Sequence, residues 1–112
     1  MQQIKKSVSL SNLEDWGLAG PPGTSSVRTS GVQRAIAGQE QIDTGVFECS
    51  AGTYRRVIMR AEVMHILSGR GRFTPDGEDT IHFEAGDTMF FEVNTEGRWE
   101  IDETMRKVYV II

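Results

Sequence analysis

The residues best suited to chemistry are a few charged and aromatic side chains on two neighbouring segments with strand-like patterns. Tyr54 and Arg56 stand two residues apart, so an extended chain places both on one face. Glu62 begins the next segment, where alternation groups it with Met64 and separates it from His65. A carboxylate in a protein interior must be paired or protonated, because burying it alone costs more than a small domain can spare. Arg56 is the expected partner of Glu62 if both face inward.

The remaining reactive side chains do not form a known catalytic set. His65 and His82 are the only histidines; alternation places His65 opposite Glu62 and His82 on the outer face of its strand, so a structural or surface role is expected for both. Cys49 is the only cysteine and is expected to be a small buried residue. No serine has a histidine at the spacing of a nucleophilic triad, and no glycine-rich phosphate loop precedes a helix.

Composition and charge exclude several classes of function. With 112 residues, 38% of them apolar, the chain is one small domain that can bury a core. The longest apolar run is Val108–Ile112, against about 20 residues for a membrane helix, and no apolar leader follows the first lysines. We therefore expect a soluble, unexported and most simply cytoplasmic protein with no membrane partner. Residues 57–112 carry 6 basic and 11 acidic groups, which argues against a nucleic-acid partner.

From about Val32 onward, short segments rich in Val, Ile, Phe, Tyr and Thr alternate with turns that contain glycine. Hairpin corners are expected at Ser68-Gly69 and Pro75-Asp76-Gly77. This pattern predicts an all-β sandwich or barrel. The expected strands are Gln33–Ile36, Val46–Cys49, Thr53–Ile58, Glu62–Leu67, Arg70–Thr74, Thr80–Phe83, Thr88–Val93, Arg98–Ile101 and Arg106–Ile112.

The first 44 residues have a different pattern. Ser11 and Glu14 fit a capping box, which predicts a short helix that the following glycines and prolines end. In Gly20–Gly31, ten of twelve residues are Gly, Pro, Ser or Thr, which predicts an extended arm or mobile loop. The last strand has apolar side chains on both faces, as in the middle of a sheet or at a subunit contact. Together with an arm that could cross to a second subunit, this predicts a homodimer.

Four short motifs follow one another in the second half of the chain, namely EVMHILSG (Glu62–Gly69), AGDT (Ala85–Thr88), GRWE (Gly97–Glu100) and RKVY (Arg106–Tyr109). Their order and spacing resemble those of the cupin superfamily. The chain resembles the small single-domain cupins (RmlC-like jelly rolls) grouped with the cupin domain of ureidoglycine aminohydrolase and with the ethanolamine-utilisation cupins. The resemblance implies an all-β cupin-type double-stranded β-helix, or jelly-roll barrel, over residues 45–112. Residues 1–44 would form an N-terminal arm with a short helix, packing on the barrel or on a partner subunit.

Cupins that bind a metal use two histidines and a glutamate in the first motif and a third histidine in the second. Glu62 fills the glutamate position, but the first two histidine positions fall on Arg56 and Ile58, or one residue earlier, and the third falls on Gly97. Because arginines near the site would repel a divalent cation, we expect no metal and no other cofactor. The alternative is a divalent metal at Glu62, completed by Glu92 or by a histidine from a bulged strand.

The resemblance places Glu62 in the barrel interior, which implies a cavity for a small molecule. The expected ligand is a small polar or carboxylate-bearing metabolite, and the implied chemistry is metal-independent C–N hydrolysis or isomerisation with Glu62 as the acid or base. Two alternatives stay open: Glu62 and Arg56 form only a structural ion pair, or the protein is a noncatalytic ligand-sensing or protein-interaction module with a vestigial pocket. The residues expected to bind the ligand are Tyr54, Arg56, Met64, Trp99, Lys107 and Tyr109.

Overall fold

Eight antiparallel strands make up most of the chain in the computed structural model, which describes residues 1–112. They build the jelly-roll barrel that the sequence predicts, with a single 3₁₀ turn at Ser7–Ser9 as the helical content. No helix has the length and hydropathy needed to cross a bilayer. The strands are β1 (Glu14–Leu18), β2 (Arg28–Gln33), β3 (Asp43–Cys49), β4 (Gly52–Ile58), β5 (Glu62–Pro75), β6 (Ile81–Glu84), β7 (Thr88–Phe91) and β8 (Thr95–Ile111).

Strands β5 and β8 are longer than the sequence predicts. The expected hairpin corner at Ser68-Gly69 is wrong, because the chain continues through it as β5 with register shifts between Ile66 and Gly71. Gly69 has a φ of 86°, and a Cβ there would lie 2.2 Å from the carbonyl oxygen of Thr104. The glycine therefore serves a β-bulge against β8 and not a hairpin turn. The last two expected strands likewise join into the single strand β8.

Each of these long strands takes part in both layers of the barrel. The second half of β8 lies between β3 and the first half of β5, whose other edge pairs with β7. The first half of β8 lies between β4 and the second half of β5, whose other edge pairs with β6. The core forms between the layers around Trp99, which is 0% exposed. Its ring centroid lies 4.7–6.4 Å from those of Tyr54, Phe73, Phe83 and Phe91.

Strands, not a helix, occupy the N-terminal segment. The helix expected from Ser11 is wrong, since Glu14–Leu18 forms β1 and pairs with β2. A helix this short is marginal alone, whereas a strand lets Trp16 pack against Phe47, with ring centroids 6.4 Å apart. The segment Gly20–Gly31, expected to be an extended arm or mobile loop, ends in β2, which pairs with β3. Residue 44, the expected boundary between arm and barrel, lies inside β3.

The position of β8 bears on the expected homodimer. This strand lies in the middle of a sheet, between β3 and β5 of the same chain. Apolar side chains on both of its faces therefore have an explanation within one subunit. The homodimer stays a prediction, which a molecular mass measured in solution would test.

Candidate functional site

A cavity of about 540 Å³ opens beside the second half of β8, a volume typical of small-molecule sites. Five of the seven side chains predicted for the site line it, namely Tyr54, Arg56, Glu62, Lys107 and Tyr109. They come from β4, β5 and β8, which are neighbours in the barrel. The structure therefore brings together residues that are up to 55 positions apart in sequence, as from Tyr54 to Tyr109.

The other two predicted residues lie behind the cavity wall. Met64 and Trp99 are both 0% exposed and belong to the core. They still support the site from beneath, since Met64 Sδ lies 3.6 Å from Lys107 Nζ and the Trp99 ring centroid lies 5.5 Å from the same nitrogen. The indole N–H of Trp99 is the one buried side-chain polar group without a hydrogen-bond partner. Both residues therefore contact Lys107 from the core side, and neither lines the cavity; their predicted contact with a ligand stays a prediction.

Glu62 is the centre of a buried charge cluster. Arg56 Nη2 donates a hydrogen bond to Glu62 Oε1 at 2.5 Å, and Lys107 Nζ donates one to Glu62 Oε2 at 3.2 Å. The Glu62 side chain is 1% exposed, that of Lys107 3% and that of Arg56 26%. The structure thus contains the expected pair of Arg56 and Glu62 and adds a second cation. Each oxygen of the carboxylate faces a positive charge, which offsets the cost of burying it.

Strand alternation explains which side chains reach this cluster. On β5, Glu62 and Met64 are buried, whereas His65 is exposed and its Nδ1 lies 2.8 Å from the hydroxyl of Thr88. The expected separation of His65 from Glu62 is therefore present. On β8, Lys107 faces Phe47 of β3 across the sheet. Its Nζ lies 4.8 Å from the Phe47 ring centroid, so the ammonium group rests on an aromatic face.

The surroundings of Lys107 disfavour its charged form. Burial lowers the pKa of Lys107 from its ordinary value of 10.5 to about 8, although the nearby Glu62 carboxylate acts in the opposite direction. Arg56 lowers this pKa further, because a second positive charge lies close by. A substantial fraction of the side chain is therefore a neutral amine at mildly alkaline pH.

Two tyrosines give the cavity neutral polar groups. Burial raises the pKa of Tyr54 and of Tyr109 far above the ordinary value of 10. The hydroxyl of Tyr109 donates a hydrogen bond to Asp43 Oδ1 at 3.1 Å, and Gln33 Nε2 donates to the same oxygen at 2.9 Å. Both phenols therefore stay protonated across the physiological range.

Sequence reasoning missed the part of the cavity that the N-terminal segment supplies. Trp16, Asp43 and the turn Ala19–Pro21 all line it. Gly31 of β2 makes room for the Trp16 ring, since a Cβ there would lie 2.4 Å from two of its ring carbons. The only sequence signal was alternation in Glu14–Leu18, and the capping pattern concealed it.

The donor groups do not fit the metal site that metal-binding cupins use. No group of three or more His, Cys, Asp or Glu side chains lies close enough to hold an ion. Both oxygens of Glu62 are bonded to cationic side chains, which a divalent cation would have to displace. At Gly97, a Cβ would lie 2.5 Å from Phe73 Cζ and from the carbonyl oxygen of Thr74, so a histidine could not replace it without moving the strands.

Comparison with known proteins agrees with this architecture. Among solved structures, the chain is similar to EutQ of Clostridium difficile, with 16% identity, a TM-score of 0.68, and coverage of 80% of this chain and 71% of that one. It is similar to a protein of unknown function (DUF1255) from Acidithiobacillus ferrooxidans, with 20% identity, a TM-score of 0.67, and coverage of 96% and 98%. Ectoine synthase from P. lautus has 16% identity, a TM-score of 0.63, and coverage of 74% and 62%.

These identities show a shared fold alone, and no curated protein sequence is significantly similar to the chain. The family assignment comes instead from the sequence of the barrel. A model of the EutQ-like cupin domain family matches residues 36–109, which include all of the strands from β3 to β7 and most of β8. The chain therefore belongs to the family of EutQ-like cupin domains.

Proposed function

We propose that the cavity binds a small metabolite that carries a carboxylate group, with Arg56 as its anchor. The observation that carries this proposal is the cluster of two cations and one carboxylate on the cavity wall. When Lys107 is protonated, the cluster of Arg56, Glu62 and Lys107 has a net positive charge. A surplus charge in a poorly solvated site is costly, so an anionic ligand is favoured over a neutral one of the same shape.

Arg56 has hydrogen-bonding capacity left for such a ligand. A guanidinium group has five N–H donors in a planar fork, and only Nη2 of Arg56 is bonded within the protein. Its side chain is 26% exposed, which is the most of the three charged groups. A carboxylate fits this fork in a bidentate arrangement. Trp16, Phe47 and Tyr54 add aromatic surface for the carbon skeleton of the ligand.

C–N hydrolysis or isomerisation stays a second proposal, in which Glu62 acts as the acid or base. Glu62 lies on the cavity wall, as such a role requires. Each of its oxygens is already bonded to a cation, so it would have to exchange a partner before it could accept a proton from a ligand. Binding is the part of the function that the geometry supports best.

A thermal-shift comparison of matched ligands tests the carboxylate site. The full chain is heated with phenylacetate, propanoate or lactate, and separately with the corresponding neutral amides. A ligand present at about 100 times its dissociation constant adds about 2.7 kcal/mol, which raises Tm by several degrees. We expect shifts from carboxylates and not from amides.

Two variants locate the binding. Arg56→Gln removes the charge but keeps a donor for Glu62, and it should abolish the shift. Arg98→Gln removes an arginine whose side chain is 54% exposed and bonded to Glu100, outside the cavity lining, and it should leave the shift unchanged. Equal shifts from acids and amides, or a full shift in Arg56→Gln, would overturn the proposal. A panel without any shift would also do so and would favour the noncatalytic interaction module.

A further inference from the structure

We infer that Lys107 forms an imine with a carbonyl group of the ligand, which narrows the ligand class to small oxo acids. This inference rests on the carboxylate site proposed above and adds a covalent step to it. It concerns a side chain that the ion pair of Arg56 and Glu62 does not require, because that pair is complete without Lys107.

The amine and the guanidinium flank one carboxylate. Lys107 Nζ donates a hydrogen bond to Oε2 of Glu62, and Arg56 Nη2 donates one to Oε1. All three side chains line the cavity. A molecule whose carboxylate binds Arg56 would therefore place the adjoining carbon atoms toward Lys107. In a 2-oxo acid the carbonyl carbon is bonded directly to the carboxylate carbon, so a carboxylate held by Arg56 brings the carbonyl group to the part of the wall that Lys107 and Glu62 share.

Lys107 has few strong hydrogen-bond acceptors for a buried ammonium group. An ammonium group has three N–H donors, and the structure gives this one two acceptors, Glu62 Oε2 and Met64 Sδ. A thioether is a weak acceptor, and the Phe47 ring covers another side of the nitrogen. A lysine that served only as a buried counter-ion would gain from stronger acceptors. The apolar enclosure favours the neutral, nucleophilic form, as in lysines that form Schiff bases.

The step needs no cofactor and no oxidant. Glu62 accepts a proton from the Lys107 ammonium, and the lone pair of the neutral nitrogen forms a bond to the carbonyl carbon while the C=O π electrons move to oxygen. A proton transfer from nitrogen to oxygen gives the carbinolamine. Protonation of its hydroxyl by Glu62 lets water leave as the C=N bond forms. The balance is one carbonyl and one ammonium group in, one protonated imine and one water out, with Glu62 returned to its carboxylate form.

Reductive trapping tests this inference on the full chain. The protein is incubated with pyruvate and cyanoborohydride, which reduces an imine to a stable secondary amine, and the modified peptides are identified by mass spectrometry. Methyl pyruvate keeps the carbonyl and removes the charge. The chain has three lysines, and the N-terminal peptide with Lys5 and Lys6 serves as the internal reference for unassisted labelling.

We expect pyruvate to label Lys107, and methyl pyruvate to label it about tenfold less relative to the N-terminal peptide, since a charge-assisted bond to Arg56 is lost. Arg56→Gln should lower pyruvate labelling by a similar factor, and Lys107→Met should abolish it without changing the N-terminal peptide. Labelling confined to the N-terminal peptide would overturn the imine. Lactate has no carbonyl, so a lactate-induced thermal shift in the same preparation would show that the carboxylate site survives that failure. The absence of both signals would refute both proposals.

Discussion

Burial of Lys107 makes the stability of the barrel depend on pH, with a sign that can be worked out. The folded pKa of about 8 lies below the ordinary 10.5, so the unfolded chain holds this proton more tightly than the folded chain. The cost of burying the charged group is fully present below pH 8 and is removed as the pH rises toward 10.5. The free energy of unfolding should therefore increase with pH over that range.

The size of the effect follows from linkage. Between pH 7 and 9 the folded form loses most of this proton, while the unfolded form keeps it, which adds about 1 kcal/mol to the free energy of unfolding. For a domain of this length, that corresponds to several degrees in Tm. Cys49 limits the pH range of this gain, because burial raises the pKa of its thiol from 9 to about 11. Above about pH 9 the unfolded chain loses the thiol proton before the folded chain does, which lowers the free energy of unfolding.

Urea unfolding of the wild type and of Lys107→Met at pH 7, 8 and 9 measures this difference. Methionine keeps the unbranched shape of the side chain and has no titratable group. The wild type should gain stability across the series, whereas the variant should show no gain. The groups that face the Lys107 amine, namely Glu62, Arg56 and Cys49, are the same in both proteins. A wild-type profile that is flat or falling, or an equal rise in the variant, would refute the reasoning.

Three further outcomes follow from close contacts. Gly97→Ala should cost roughly 1–3 kcal/mol in urea unfolding, because its Cβ would lie 2.5 Å from Phe73 Cζ; an unchanged midpoint would contradict the close approach of β8 to β5. Arg106→Ala should lower the free energy of unfolding by about 1–3 kcal/mol, because Arg106 donates hydrogen bonds to Glu48 and to the carbonyl of Ser7. Arg98→Ala, at the surface, should lower it by less than about 1 kcal/mol. Equal losses in the two variants would contradict this expectation. Cys49 is 0% exposed, so a thiol reagent should modify it only after unfolding, and rapid reaction of the native protein would contradict its burial.

Alternation and turn chemistry predicted much of this fold, because both are local properties. The positions of β3, β4, β6 and β7 agree with the expected strands to within a few residues. The motifs from Glu62 to Tyr109 identified the barrel, and alternation alone separated His65 from Glu62. Even the pair of Arg56 and Glu62 followed from the cost of burying an isolated carboxylate.

What sequence reasoning missed depends on pairing between distant segments. Gly69 has the residue type of a hairpin corner, and only its contact with the backbone of Thr104 shows that it belongs to a bulge. Ser11 and Glu14 satisfy a helix-capping pattern, but pairing with β2 decides the conformation of Glu14–Leu18. Lys107 could not be placed beside Glu62 in advance, because their contact depends on the register between β5 and β8.

The arrangement of β8 also constrains how the chain reaches its folded form. Strands β3, β4 and β5 all pair with β8, and β8 is the last of the eight to be synthesised. Until it emerges, β3 and β5 each have an edge without a partner, and β4 has no partner strand at all, so neither layer of the barrel is complete. Pairing over such sequence distances is slow, and open edges can pair with other chains in the meantime. Synthesis of residues 95–111 is therefore the step after which the barrel can close and its core is protected from aggregation.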